Sequence, residues 1–390
     1  VTPGERLAAA GLSVPDYGGL ELGAVLPGAL AAVGAADAVA ARDAEADRVR
    51  LGIPRAEHVV VVLIDGLGHR QLDARKGHAP FLRTTESAVI TAGFPTTTAT
   101  SLALFGTGRA SGATGMTGYT AHNPRTGAAA NLVSWDGADD PERWQREPSL
   151  LRTAHEGGLA VSTLGKAKFA GSGLTRAALS GGEFVGRARL AERVDEAIRR
   201  ARTPGLTYLY WGDIDRMGHK HGWQSEAWTA ALEDVDQELR RLRARLPRHA
   251  AIVVTADHGM VDVPGAPRWD IAAEPSLARD VRLVAGEPRM LHLHTDDAAV
   301  APAVAERWRG VLGADAAVLL RSEAVALGLF GPVVADHVED RIGDVVVAMA
   351  GRATVVDSRT QTPEAIALVG VHGSLTREEL EIPLLVAYDG

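Results

Sequence analysis

Apolar and polar positions fall in blocks that repeat one grammar: a short run of branched apolar residues, then an acid, then a segment of helical period. Residues 59–64, VVVVLI, form the first run and end at Asp65-Gly66. A continuous Val/Ile stretch closed by glycine predicts a strand buried on both faces, as parallel sheets require. The same reading gives strands over 87–91, 160–164, 206–211 and 251–255. Helices are predicted between them near 67–75, 98–105, 149–156, 190–202 and 226–244. This alternation marks βαβ units, so the expected fold class is α/β, with a mostly parallel central sheet flanked by helices.

The pattern changes on either side of that block. Residues 1–55 read as a surface arm carrying one amphipathic helix near 26–39. Past Met260, strands at 290–294, 316–320 and 345–349 and a helix at 299–312 predict a small α+β subdomain, followed by a last strand at 382–388 that rejoins the main sheet. The expected organisation is an N-terminal arm (1–55), a catalytic domain from 56–280 and 358–390, and an inserted cap subdomain (281–357).

Composition narrows the function classes. At 390 residues and 46% hydrophobic content the chain can bury a large core, and a net charge of −8 argues against a nucleic-acid footprint, which needs a basic face. There is no cysteine, so disulfides, thiolate metal sites and cysteine nucleophiles are excluded. Any metal must be held by His, Asp and Glu. No stretch has the length of a membrane span or the flanks of a signal peptide. The chain opens on Val, which leaves room for a removed leader, and localisation is left unassigned.

The acids at the strand ends are the candidate chemistry. Ligands of open α/β sheets bind outside the carboxyl ends of the strands, where Asp65 stands, although Asp65 equally suits the N-cap of the helix at 67–75. In LTYLYWGDIDRMGHKHG a second strand runs into Asp213 and Asp215, with His219 four residues on. In AAIVVTADHGM a third ends in Asp257-His258. Asp-x-x-x-His can be a same-face helical pair, and Asp-His-Gly a capped turn. Three strands ending alike point instead to a divalent cation held by carboxylate oxygen and imidazole nitrogen. The turn GFPTTTATSLALFGTG crowds Thr96, Thr97, Thr98, Thr100 and Ser101 at a helix start, where unpaired N–H groups suit a phosphoryl group. A Thr hydroxyl becomes a nucleophile only when a base or metal activates it, and the bland reading is a Thr-rich cap.

In this order, Asp65, the Pro95–Thr98 hydroxyl turn, Asp215-x-x-Gly-His219, Asp257-His258-Gly-Met and His372-Gly resemble the alkaline phosphatase superfamily, in its type I phosphodiesterase/nucleotide pyrophosphatase branch. The resemblance runs from about Val59 to the C-terminus. It implies two divalent ions, zinc first, in one site on a mostly parallel sheet. One ion would take Asp65, Asp257, His258 and the nucleophile Thr98; the other, Asp215, His219 and His372. It further implies a metal-dependent hydrolase of phosphodiester or pyrophosphate bonds acting on small phosphate esters.

Phosphomonoesterase, phosphonate hydrolase or mutase activity on the same scaffold, and a non-catalytic metal-binding protein, are the alternatives. The Cys/Ser-x-Pro-x-Arg motif of sulfatases is absent from the turn, and the mutase branch normally carries Ser. Two departures count against a nucleotide substrate. Ala99 stands where the family often has a base-stacking aromatic, and Ser101 where it has a phosphate-contacting Asn. Asp213 and His221 read as neighbours of the ligands, Lys166 and Lys168 as exposed, Trp211 as packing, and Tyr119 as a possible pocket wall. The insertion at 281–357 is expected to overhang the site.

Overall fold

The computed structural model describes residues 2–389. The first apolar run forms β1 (His58–Ile64), buried along its whole length. Each fully buried Val or Leu there contributes roughly 1.5–3 kcal/mol of apolar transfer, so the run has one stable place, the middle of a sheet. The other strands of that sheet are β2 (Glu86–Thr91), β3 (Val161–Gly165), β4 (Glu183–Gly186), β5 (Gly205–Trp211), β6 (Ala250–Thr255) and, at the chain's end, Glu381–Ala387.

Their spatial order is β2, the C-terminal strand, β6, β1, β5, β3, β4. β1 pairs in parallel with β5 (His58 opposite Gly205) and with β6 (His58 opposite Ala250). The C-terminal strand is antiparallel to both its neighbours. Six strands therefore end together on one edge, and Asp65, Asp213, Asp215, Asp257 and His258 follow three of them. The α/β class and the mostly parallel sheet are as expected. The edge strand β4 was missed, because four residues flanked by glycine and arginine carry too little periodicity to read.

The N-terminal stretch differs from its reading as a surface arm. Its helix is Val25–Ala32, ending before Gly34, and all eight residues are buried. Leu22, Val25, Leu26 and Leu30 belong to the main core. A helix apolar all round belongs inside a protein, and the expected amphipathic face does not exist. The long helix Glu226–Arg245 starts as its sequence demands, with the Ser225 hydroxyl accepting from Trp228 N–H at 3.2 Å. Asp65 caps nothing: the helix after β1 is His69–Ala74, with Gly68 at its N-cap.

After β6 a second sheet is built from β7 (Val281–Glu287), β8 (Met290–Thr295), β9 (Ala316–Leu320) and β10 (Val345–Met349), in the order β7, β8, β10, β9 and all antiparallel. Alternation along the strands gives it two apolar faces. Leu291, Leu293, Val345 and Val347 pack with Val304 and Trp308 of the helix Ala301–Leu312. Met290, Val346, Ala348 and Leu319 pack against Phe94 and Leu375. Phe94 precedes the threonine turn and Leu375 follows His372, so this sheet braces both loops. A hairpin, Thr120–Asn123 with Ala128–Asn131, was not anticipated; Gly127 in its turn adopts φ 72°.

Candidate active site

The seven residues singled out as ligands or nucleophile meet at the carboxyl edge of β1, β5 and β6. Asp65 and Asp215 are joined through backbone, Asp65 N–H donating to the Trp211 carbonyl at 2.9 Å and Asp215 N–H to the Asp65 carbonyl at 3.1 Å. Gly66 permits this approach. Its φ is 75°, and a Cβ there would lie 2.8 Å from the Cα of Asp215. Gly66 N–H also donates to Asp257 Oδ1 at 3.0 Å, tying β6 to β1.

All three histidines are oriented in one way. Nδ1 of His219 lies 2.7 Å from the Gly370 carbonyl, Nδ1 of His258 3.0 Å from that of Gly259, and Nδ1 of His372 2.8 Å from that of Thr96. A carbonyl accepts only from N–H, so each Nδ1 carries a proton and Nε2 is the nitrogen turned toward the site. Those Nε2 atoms point at carboxylates. His219 is 3.3 Å from Asp215 Oδ2 and His372 is 3.8 Å from Asp215 Oδ1. His258 is 3.5 Å from Asp65 Oδ1 and 3.4 Å from Asp257 Oδ2. His258 and His372 stack with ring centroids 3.6 Å apart.

Two groups of ligand atoms lie within 4.8 Å of one another, Asp215/His219/His372 and Asp65/Asp215/His258, and Asp215 belongs to both. Thr98 opens the helix Thr98–Thr107, and its hydroxyl is 3.2 Å from His258 Nε2. Thr97, not Thr98, is the N-cap residue, and it makes no side-chain cap bond. Thr96 is committed elsewhere: its hydroxyl donates to the Ser374 carbonyl at 2.7 Å and accepts from Gly373 N–H at 3.1 Å. Ser101, one turn beyond Thr98, has a buried hydroxyl with no partner.

The donor set fits divalent cations. Asp65 Oδ1, Asp215 Oδ1 and Asp257 Oδ2 are all buried without a hydrogen-bond partner, an arrangement that is costly unless a cation satisfies it. Burial, with the charges of Asp257 and Asp215, pushes the Asp65 carboxyl well up, and burial raises Asp257. At Asp215 burial is outweighed by His219 and His372, which hold its carboxyl well below the usual range. Burial also opposes charge on His219, yet Asp215 beside it lifts that ring to about 9. His372 is pushed down by burial and by His258. Oxygen and imidazole donors without sulfur suit zinc or a harder divalent ion.

Beside this cluster opens a cleft of about 520 Å³, bordered by Thr97, His219 and His372. Its far walls come from Tyr119, the β7–β8 hairpin with Glu287, and residues 355–371. Among the described residues lining it there is neither lysine nor arginine. Tyr119 is thus a pocket wall. Asp213 turns away to Lys166 (3.4 Å) and Arg216, His221 and Lys168 are exposed, and Trp211 lies under the Arg193 guanidinium, 4.8 Å from its ring centre.

Three participants escaped the sequence reading. The Tyr210 hydroxyl donates to Asp65 Oδ2. Glu287 presents a buried, unpartnered Oε1 to the cleft while Oε2 accepts from Tyr119 N–H at 2.8 Å. Arg289 and Glu379 form a fully buried ion pair behind the His372 loop. Tyr210 has a local signal, its place one residue before the end of β5; the other two have none.

This arrangement, with side chains able to hold divalent cations, on a mostly parallel α/β sheet is that of a hydrolase of the alkaline phosphatase superfamily. Residues 59–375 match the family model for type I phosphodiesterase/nucleotide pyrophosphatase, and the chain belongs to that family of phosphoric ester hydrolases. Among solved structures it is similar to murine ectonucleotide pyrophosphatase/phosphodiesterase 5, with 19% identity and a TM-score of 0.67 over 84% of this chain and 87% of that one. It is also similar to phosphonoacetate hydrolase from Sinorhizobium meliloti 1021, with 22% identity and a TM-score of 0.64 over 86% and 91%. A shorter stretch of 116 residues is 33% identical to a phosphopentomutase of Rhizobium meliloti (strain 1021), covering 29% of this chain and 27% of that protein. No helix among the described residues is long and apolar enough to cross a membrane.

Proposed function

We propose that this protein hydrolyses small phosphodiesters, with Thr98 as nucleophile and two divalent ions, zinc first, as cofactors. The observation that carries the reading is the convergence of three unpartnered carboxylate oxygens and three histidine Nε2 atoms at one edge of the sheet, with the Thr98 hydroxyl 3.2 Å from one of them, His258 Nε2. Asp65, Asp257, His258 and Thr98 would hold one ion, and Asp215, His219 and His372 the other. When bound, such a pair supplies Lewis-acid neutralisation of the charge that develops on phosphoryl transfer.

The chain's own part is positioning. Thr98 Oγ1 attacks phosphorus in line, forming a Thr–O–P bond as the bond to the leaving oxygen breaks and the threonine proton departs with that oxygen as an alcohol. Water then attacks the same phosphorus, the Thr–O–P bond breaks, one proton of the water returns to Thr98, and its oxygen stays on the released phosphate. The first-turn N–H groups of the Thr98 helix lack intrahelical partners and face the phosphoryl oxygens. Ser101 lies on the same helix face as Thr98, and its free hydroxyl is assigned to one of those oxygens. The Nδ1–carbonyl bonds hold the histidines in orientation, so little reorganises during reaction.

The cleft favours the diester among the activities of this scaffold. Its walls are largely apolar, through Leu283, Pro288, Leu291, Val355 and Leu368, and away from the ligand histidines His219 and His372 they hold neither lysine nor arginine among the described residues. A leaving group carrying carboxylate or further phosphate would be desolvated there without a counter-charge. A neutral ester group fits, and residues 281–357, which form much of the wall, would select it. Ala99 offers no ring for a nucleobase to stack on.

The test combines metal analysis of the purified protein with hydrolysis of bis-p-nitrophenyl phosphate, p-nitrophenyl phosphate and phosphonoacetate, before and after chelation. About two zincs per chain and faster, chelator-sensitive diester cleavage are expected. Faster monoester or phosphonate cleavage would move the protein to those alternatives. Absence of both metal and turnover would overturn the reading.

A further inference from the structure

A second cleft, of about 540 Å³, lies where the segment ending in Arg341 meets the hairpin and the stretch 139–146, and shares no residue with the cleft beside Thr98. Its electrostatics are out of balance. The carboxylates lining it are Asp139, Asp140 and Glu142. Each is already engaged: Asp139 with Arg125, Asp140 with Arg176 at 3.0 Å and Glu142 with Arg152 at 3.1 Å. Arg143, Arg146 and Arg341 line the same cleft and have no carboxylate partner among the described residues.

Arg341 is the unusual one. Only 6% of it is exposed, its guanidinium lies 4.1 Å from the Trp144 ring centre, and its Nη1 donates to the Trp144 carbonyl at 2.8 Å. Its Nε is buried with no partner. A guanidinium withdrawn from water and offered only carbonyls and a ring is a costly arrangement that an oxyanion would relieve. Burial and the nearby charge of Arg146 push Arg341 down to about 10, against the opposing pull of Asp139.

We infer that this cleft binds a phosphate-type dianion, either free or as the phosphomonoester end of a small molecule. One carboxylate could pair with a single arginine fork. Three unneutralised guanidiniums from two chain segments call for an ion with at least three acceptor oxygens and a double charge. The anion would clamp the Arg341 segment onto the hairpin side of the molecule. The site depends on neither Thr98 nor a metal, so it stands apart from the proposed hydrolysis.

Calorimetric titration of the full chain with inorganic phosphate, as purified and after chelation, tests it. One phosphate should bind after chelation, weaken with added salt, and bind at least about tenfold more weakly to the Arg143→Ala/Arg146→Ala variant. Both substituted side chains are exposed, so the variant keeps its fold, and its diester turnover in phosphate-free buffer should match the parent. Glucose 6-phosphate serves as the monoester arm and acetate as the single-charge control. No chelation-resistant binding up to about 10 mM phosphate would overturn the inference. So would binding unchanged in the variant, or acetate binding as tightly as phosphate.

Discussion

The buried pair Arg289–Glu379 makes a sharp prediction. Both side chains are fully buried, with Arg289 Nε 3.0 Å from Glu379 Oε1 and Nη2 2.7 Å from Oε2. Glu379 also accepts from Ser374 N–H at 3.0 Å and from the Thr376 hydroxyl; Arg289 also donates to the carbonyls of Met349 and Ala350, each at 3.2 Å. Glu379→Ala leaves a buried guanidinium without its counter-charge, an error that costs about 3–5 kcal/mol. Against a typical total of roughly 5–15 kcal/mol that is a large share of stability. The double variant Arg289→Met/Glu379→Leu buries no charge and should lose less than the sum of Arg289→Met and Glu379→Leu made singly, by about 2 kcal/mol or more. Urea denaturation of the four proteins in the cycle measures this, and zinc content measures the local effect. Ser374 is two residues past His372, so Glu379→Ala should also lose metal. A single-variant loss below about 1 kcal/mol, or simple additivity, would refute the claim that this pair anchors the His372 loop.

Other expected outcomes follow from the same geometry. Thr98→Ala should abolish diester turnover yet keep the fold and most of the metal, which three other ligands still hold at that position, since its hydroxyl caps no helix and its loss costs less than the ~1 kcal/mol of a cap; retained turnover would move the nucleophile to Thr97. Asp257→Asn should lose zinc and activity together, and a variant with full metal content would remove Asp257 from the ligand set. In the chelated protein His219 sits at about 9, so metal entering below that pH must displace its proton. Metal affinity, measured against a competing chelator, should therefore rise through neutral pH with proton release, and a flat profile would contradict this. Burial pushes the Glu287 carboxyl up to about 8 from 4.5. The folded form thus holds a proton that the unfolded chain releases first. Relative to Glu287→Gln, the chelated parent should be most stable below about 4.5 and lose on the order of 3 kcal/mol by neutral pH. Parallel pH–stability curves for the two proteins would show that Glu287 does not titrate this way.

The layered α/β core and the acids at the strand ends are legible in the order of residues alone. Both are local properties: branched apolar runs such as 59–64 have one favourable environment, and a carboxylate such as Asp65, directly after a buried strand, must emerge at the sheet's edge. The ordered set of motifs carried the family, as the match over 59–375 bears out. Tertiary structure decided what depends on distant partners. Leu22–Ala32 is core because helices and sheet enclose it, which its own residues do not disclose. His372 faces Asp215 because Thr96, far earlier in the chain, holds its Nδ1. The partners of Glu287, Arg289 and Arg341 likewise lie far off in the chain, and no period of two or 3.6 residues records them. Side-chain periodicity encodes how a segment folds against its immediate surroundings. Which loops meet at the edge of the sheet, and which charges are left without partners there, is settled only when the whole chain has packed.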